Sequence, residues 1–401
     1  MKLSALAISA VLAASACSGG DGNVCETTTS TVPATATTTS MATTTTTIPT
    51  ETGGTVTTPG SGFVIGEADY VLAAGGTIQS VSPDARVLVI ADGEHVDLQS
   101  LDGSDAESVP SPPEFRLGRL VGGWAADGSV VAFHDAFSTA VNFDSTVWLL
   151  DTREPALQLL VSEQDILVLD VAFAPDGDVV LLGDQTDHGF GLFTVSDSGE
   201  PQPLAPVQWQ NVVEWLPDGS ALVTTAFTSG EEAGLWRVDP RDGSSELVSP
   251  PDAVLGSPHL VAVSGDSAWA LIFYRIYVAQ EFPANASHYG VVRLETGEVS
   301  PLKEPTDRDF FGPGLAAFSP DGEWVAYTYH DGQDMDAPVV LAVRPTAGGE
   351  EQIISGDLFA AVGSPPTPSP FFLERELNPV WAADNRLVFP TSSWALVIDL
   401  E

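Results

Sequence analysis

FSPDGEWVAYTYHDG, residues 318–332, joins an aromatic residue, a tight turn and a long apolar run in immediate succession. Pro320 presets φ for the turn, Asp321 can cap the turn amides with its carboxylate, and Gly322 accepts positive φ. The run at 324–329 is apolar on both faces, as expected of a strand lying between two other sheets. Residues 315–319 ahead of the turn read as a first strand, 337–343 as a third, 346–349 as a turn and 352–355 as a short fourth. One unit of this chain is therefore a small antiparallel sheet.

The same phrase recurs as VSPDA (81–85), WAADG (124–128), FAPDG (173–177), WLPDG (215–219), VSGDS (263–267), FSPDG (318–322) and WAADN (381–385). Its Asp residues stand 43, 49, 42, 48, 55 and 63 positions apart. Strand-rich repeats of about 40–50 residues read as β-propeller blades. Third strands are expected at 146–151, 190–195, 235–238 and 289–294. The last repeat offers strands at 379–382, 386–390 and 394–400 and has no fourth, while 61–76 precedes the first repeat with two apolar runs, FVIG and DYVLAAGG. The expected fold is an all-β, seven-bladed propeller of four-stranded antiparallel blades, closed by pairing of the N- and C-terminal strands, which removes both open sheet edges.

FSPDGEWVAYTYHDG (318–332), FAPDGDVVLLG (173–183) and WLPDGSALVTT (215–225) resemble the WD-like repeat of TolB-type propellers, in which an aromatic-Ser-Pro-Asp-Gly turn precedes an apolar strand. The resemblance covers residues 62–401. It implies the fold and leaves function open, because such repeats occur in periplasmic scaffolds, surface lipoproteins and the propellers of prolyl-oligopeptidase-type enzymes.

The amino terminus is read separately. Lys2 is followed by an apolar stretch at 3–14, too short to span a bilayer and suited to a signal-peptide core. The stretch runs into ASAC (14–17), which looks like a bacterial lipobox with Cys17 as the lipidated residue; an ordinary leader cut at Ala14–Ser15–Ala16 is the alternative. Residues 27–58 hold eighteen Thr and cannot build a core, so the segment is expected to be disordered. As a flexible coil, residues 18–62 would span about 40 Å root-mean-square and up to about 150 Å extended. The domain reading is a lipoprotein signal peptide at 1–16, a Thr/Pro-rich tether at 17–61 and the propeller at 62–401.

Fifty-five acidic residues oppose fourteen basic ones, a formal charge of −41, and Lys occurs only at Lys2 and Lys303. Nucleic-acid binding needs clustered Lys and Arg and is excluded as a class, as is attraction to an anionic membrane by charge. Contact with the membrane is then expected through the lipid anchor alone. The two cysteines, Cys17 and Cys25, lie ahead of the repeats, so neither a disulfide nor a Cys-based metal site is expected within them.

Catalytic motifs are missing. The chain has no G-x-S-x-G elbow and no H-E-x-x-H, and its six His (95, 134, 188, 259, 288, 330) share no ligand spacing. The seven turn Asp residues, 84, 127, 176, 218, 266, 321 and 384, are expected to satisfy their own turns rather than ring a cation. Asp331, Asp334 and Asp336 could hold Ca²⁺ but lack EF-hand spacing. Asn285 opens a glycosylation sequon, and the long stretches 276–288 and 359–377 are the natural places for a protein contact.

No catalytic residue, metal ligand or cofactor is therefore assigned. The expected function is a monomeric, lipid-anchored, extracytoplasmic propeller that binds envelope proteins or wall components without catalysis. The rival is a hydrolase or lyase with a carboxylate/His site at the channel mouth, Ca-dependent or not.

Overall fold

The computed structural model describes residues 63–73, 75–102, 106–113, 115, 123–139, 142–164, 166–196, 199–206, 210–216, 218–225, 234–249, 259–275, 287–303, 315–331, 338–363 and 379–401. The leader, Cys17, Cys25, the tether, Asn285, Asp334 and Asp336 lie outside them, as do 276–286 and 364–378 of the two long stretches.

Strand β1 (Ile65–Leu72) precedes a series of antiparallel sheets, each built from consecutive strands. The first holds β2 (Thr77–Val81), β3 (Val87–Ala91), β4 (His95–Ser100) and β5 (Glu107–Pro110). The second holds β6 (Val130–Thr139), β7 (Asn142–Asp151) and β8 (Ala156–Gln164). The third holds β9 (Ile166–Phe173), β10 (Val179–Gln185), β11 (Gly189–Val195) and β12 (Pro201–Pro206). The fourth holds β13 (Gln210–Trp215), β14 (Ala221–Thr225), β15 (Gly234–Val238) and β16 (Ser245–Ser249). The fifth holds β17 (His259–Val263), β18 (Trp269–Arg275), β19 (Ser287–Arg293) and β20 (Val299–Pro301).

The sixth sheet holds β21 (Ala316–Phe318), β22 (Trp324–His330), β23 (Val339–Pro345) and β24 (Gln352–Ser355), and the short helix α1 (Leu358–Val362) follows it. The last holds β25 (Val380–Trp381), β26 (Arg386–Pro390) and β27 (Trp394–Leu400), with β1 as its outer member. β1 runs antiparallel to β27 from Ile65 opposite Leu400 to Leu72 opposite Trp394.

The expectation of seven equal four-stranded blades is corrected: among the described residues six sheets have four strands, and the second sheet has three. Ahead of its turn, among the described residues, Trp124 pairs through an isolated bridge to Val131. Gly123 stands where other repeats carry larger residues, and glycine permits close backbone approach. The Gly123 amide turns to the third sheet and donates to the Val171 carbonyl at 2.9 Å.

The expected closure is also revised. Pairing of β1 with β27 completes one sheet, whereas the first and last sheets meet through side-chain packing and a backbone hydrogen bond. Ile78, Leu88 and Ile90 pack with Ala382, Val388 and Ala395, and the Ile78 amide donates to the Ser392 carbonyl at 2.9 Å.

The core sits between sheets rather than at one centre. Val180 and Leu182 of the third sheet pack with Val213 and Val238 of the fourth. Val291 of the fifth packs with Val325 and Tyr327 of the sixth. Leu341 of the sixth packs with Phe389 and Leu396 of the last. Each such residue, removed from water on both sides, contributes on the order of 1.5–3 kcal/mol before conformational entropy is set against it. Stability in this arrangement is a sum over neighbouring pairs of sheets.

The turn phrase works as its chemistry dictates. In all seven copies the residue after Asp has positive φ, and where it is not Gly it is Ala85 (53°), Ser267 (56°) or Asn385 (64°). The backbone conformation is thus imposed by the repeat even where the side chain opposes it.

Candidate functional site

The seven turn Asp residues are occupied locally. Oδ1 of each accepts from the amide two residues on: Arg86 donates to Asp84 (3.3 Å), Ser129 to Asp127 (3.0 Å), Asp178 to Asp176 (3.2 Å), Ser220 to Asp218 (2.9 Å), Ala268 to Asp266 (3.0 Å), Glu323 to Asp321 (3.0 Å) and Arg386 to Asp384 (3.3 Å). Hydroxyl donors strengthen several of these turns: Ser319 Oγ reaches Asp321 at 2.6 Å and Ser220 Oγ reaches Asp218 at 2.6 Å. These hydroxyl bonds come first among the causes that hold the Asp127, Asp218 and Asp321 carboxyls below their usual range. Each Asp serves its own turn, as the residue chemistry suggests.

The histidines are spread over different sheets. His95 begins β4 with Nδ1 3.8 Å from Asp92, His188 is exposed between β10 and β11, and His330 ends β22, buried. His259 and His288 are on β17 and β19 of one sheet, on strands that each pair with β18. His134 on β6 is 3% exposed, and neither ring nitrogen has a hydrogen-bond partner among the described residues. Burial pushes its pKa down to about 4, so it is neutral at physiological pH. Among the described residues no group of three or more His, Cys, Asp or Glu is placed to hold a metal ion.

The first strands of the third and fourth sheets each carry one acid, Asp170 on β9 and Glu214 on β13. These two first strands belong to neighbouring sheets and pack against each other. Both carry a β-bulge, at 168–170 in β9 and at 210–213 in β13. A bulge re-aims the residues beside it. Here the Val213 amide donates to Asp170 Oδ2 at 2.9 Å, and the Val171 amide donates to Asp170 Oδ1 at 2.9 Å. Asp170 is 5% exposed and ties the inner strands of two sheets together.

Burial pushes the Asp170 carboxyl up to about 8; the neighbouring Glu214 raises it further and its two amide donors oppose the rise. Desolvation pushes Glu214, which is partly buried, up to about 7. Both groups therefore exchange protons near neutrality, the range a general acid or base uses.

The repeats contain a signal for this pair. Four residues ahead of the turn Asp stand Ser80, Gly123, Ala172, Glu214, Ala262, Ala317 and Val380; six ahead stand Ile78, Val121, Asp170, Val212, Leu260, Leu315 and Asn378. One acid occurs in each column. The motif itself had drawn attention to the regular residues, whereas the departures mark the site.

A second polar cluster joins the fifth and sixth sheets. Tyr327 and Tyr329 donate to the two Glu351 carboxylate oxygens, the latter at 3.0 Å. Arg344 Nη1 donates to the Pro301 and Leu302 carbonyls at 2.6 and 2.8 Å. Lys303 Nζ lies 3.3 Å from the centroid of the Tyr329 ring. Burial, and then Glu351, raise the Tyr327 hydroxyl pKa far above its usual value, so it stays a donor. Arg344 Nε has no hydrogen-bond partner among the described residues, and the remaining contacts of the cluster clamp the two sheets together. Of the acidic loop, Asp331 is described at the end of β22, its amide donating to Pro338 at 2.9 Å.

No protein-family model matches the chain, and no curated protein matches it. Solved structures to which it is similar include TolB from Acinetobacter baumannii, at 18% identity and a TM-score of 0.42 over 70% of this chain and 61% of that one. An oligogalacturonate lyase from Vibrio parahaemolyticus is similar at 15% identity and a TM-score of 0.46, over 62% of this chain and 72% of that one. Porphyromonas gingivalis dipeptidyl peptidase 4 is similar at 13% identity and a TM-score of 0.44, over 71% of this chain; the match spans 46% of the peptidase. These likenesses are of the propeller fold, and nothing finer follows from them.

Proposed function

We propose that the chain is an extracytoplasmic, non-enzymatic binding propeller, anchored by lipid on Cys17 and carried by the Thr-rich tether. In this reading residues 1–16 are removed, 17–61 are the tether, and 62–401 present a rigid acidic surface to an envelope protein or wall component. The observation that carries it is the ASAC sequence after a short apolar stretch, followed by a Thr-rich tract that cannot build a core. The turn carboxylates support it from the other side, since every member of the most regular acidic column serves its own turn.

The test is in-cell crosslinking and affinity capture of the tagged full-length chain, with Cys17→Ser as control. A defined envelope partner, lost in the control, is expected. Recovery of the propeller alone from both would remove the binding reading.

A hydrolase or lyase is the second reading, and one observation favours it: two acids, Asp170 and Glu214, stand on the packed inner strands of neighbouring sheets, with burial raising both carboxyls. Turnover of a wall polymer or peptide by wild type, abolished in Glu214→Gln, would establish it.

A further inference from the structure

Strand β1 is attached to the fold unlike the other described strands. Each of those pairs with its neighbours in the chain, whereas β1 pairs with β27, at the far end of the sequence. The register of that pairing shifts between Ile65 and Ala68. None of the eight residues of β1 is buried, whereas five of the seven in β27 are.

The contact between the first and last sheets does not run through β1. Its buried members are Ile78, Leu88 and Ile90 on one side and Ala382, Val388 and Ala395 on the other, and Val71 and Ala73 flank them while only partly buried. The backbone bond from the Ile78 amide to the Ser392 carbonyl also bypasses the strand. What holds β1, besides its pairing, is a short set of pins. Phe63 lies edge-on to Trp324 of the sixth sheet and to Trp381 of the last, at centroid distances of 5.4 and 5.6 Å. Tyr70 lies edge-on to Trp394 at 5.2 Å, and its hydroxyl donates to the Gly363 carbonyl at 2.8 Å. Val64 and Glu401 exchange two backbone hydrogen bonds, at 2.9 and 3.0 Å.

We propose that β1 is a releasable strap, which leaves β27 as a unit while the rest of the propeller stays folded. Elements with few buried apolar contacts open below the free energy of global unfolding, and terminal segments are foremost among them. On the tether reading above, Phe63 is where the tether enters the fold, so the strap stands between anchor and propeller. Release of residues 63–73 then lends the tether up to about 35 Å of further reach. The gain in reach depends on the tether; the opening of the strand does not.

The experiment is native-state hydrogen exchange of the purified full chain at rising urea below its unfolding transition. It is read by mass spectrometry on peptides covering 65–72 in β1 and 386–390 in β26. In wild type, β1 is expected to exchange at least about a hundredfold faster than β26. The β1 rate should hardly respond to urea, because release of one strand exposes little surface, while β26 follows the global slope. Phe63→Ala removes a pin and should speed β1 several-fold. Ile78→Val weakens the contact between the first and last sheets, which stays formed when the strap opens. It should speed β26 several-fold and leave β1 unchanged. Equal rates in β1 and β26, a β1 rate that climbs with urea as steeply as β26, or an Ile78→Val variant that speeds both strands alike would overturn the proposal. So would a β1 rate indifferent to Phe63→Ala.

Discussion

Asp321→Ala tests whether the acidic column is structural. Asp321 Oδ1 accepts two hydrogen bonds, from Ser319 Oγ at 2.6 Å and from the Glu323 amide at 3.0 Å. Ser319 Oγ in turn accepts the Trp324 amide at 2.9 Å, so the carboxylate orients the hydroxyl that opens strand β22. Alanine removes both acceptor contacts at an exposed position where water replaces part of them. Helix caps of the same chemistry cost about 0.5–2 kcal/mol, so a loss of about 1.5 kcal/mol is expected. Asn keeps the oxygen and loses only the charge, which should cost about 0.5 kcal/mol.

Because hydrogen bonding lowers the Asp321 pKa, the wild-type advantage is present above the free carboxyl's pKa and fades as pH falls through the lower folded value. The assay is urea denaturation of the full chain in EDTA and again with millimolar Ca²⁺. The two midpoints should move together, with unchanged m-values. A penalty that appears only with Ca²⁺, or Asn behaving like Ala, would refute the local account and restore a cation ring.

Two further substitutions probe the fold in opposite directions. Ser267→Gly should stabilise by about 0.5–1 kcal/mol, because it relieves a φ of 56° that the turn imposes on a residue with a Cβ; a lower urea midpoint would contradict this. Gly123→Ala should cost about 1–3 kcal/mol, since its Cβ would stand 2.6 Å from the Val171 carbonyl oxygen; an unchanged midpoint would show that the second sheet does not approach the third as described.

The turn phrase made the architecture legible because Pro, Asp and Gly act locally and identically in every copy. Strands at 352–355, 386–390 and 394–400 were readable to the residue for the same reason: each is bounded by turn chemistry. The second sheet was not. Among the described residues it has three strands, and the close approach of Gly123 to Val171 depends on what lies opposite, which the repeat itself does not show.

Asp170 escaped notice because ILVLDVAF reads as a fully buried strand, in which a single acid is easily passed over. Its partner across the junction, the Val213 amide, is 43 residues away in the neighbouring sheet. Glu214 lay beside Trp215 of the turn phrase and was hidden by it. Aligning the repeats on their turn Asp, and asking which member breaks each column, recovers both.

The central claim is that this propeller is held at a membrane by Cys17. It is tested most directly by the mass of the amino-terminal peptide released from the membrane fraction of cells making the full chain. The account predicts a peptide beginning at Cys17 and carrying a diacylglyceryl adduct, with the protein shifted to the soluble fraction by Cys17→Ser. An unmodified peptide starting at Cys17 or elsewhere, with wild type and variant equally soluble, would contradict it.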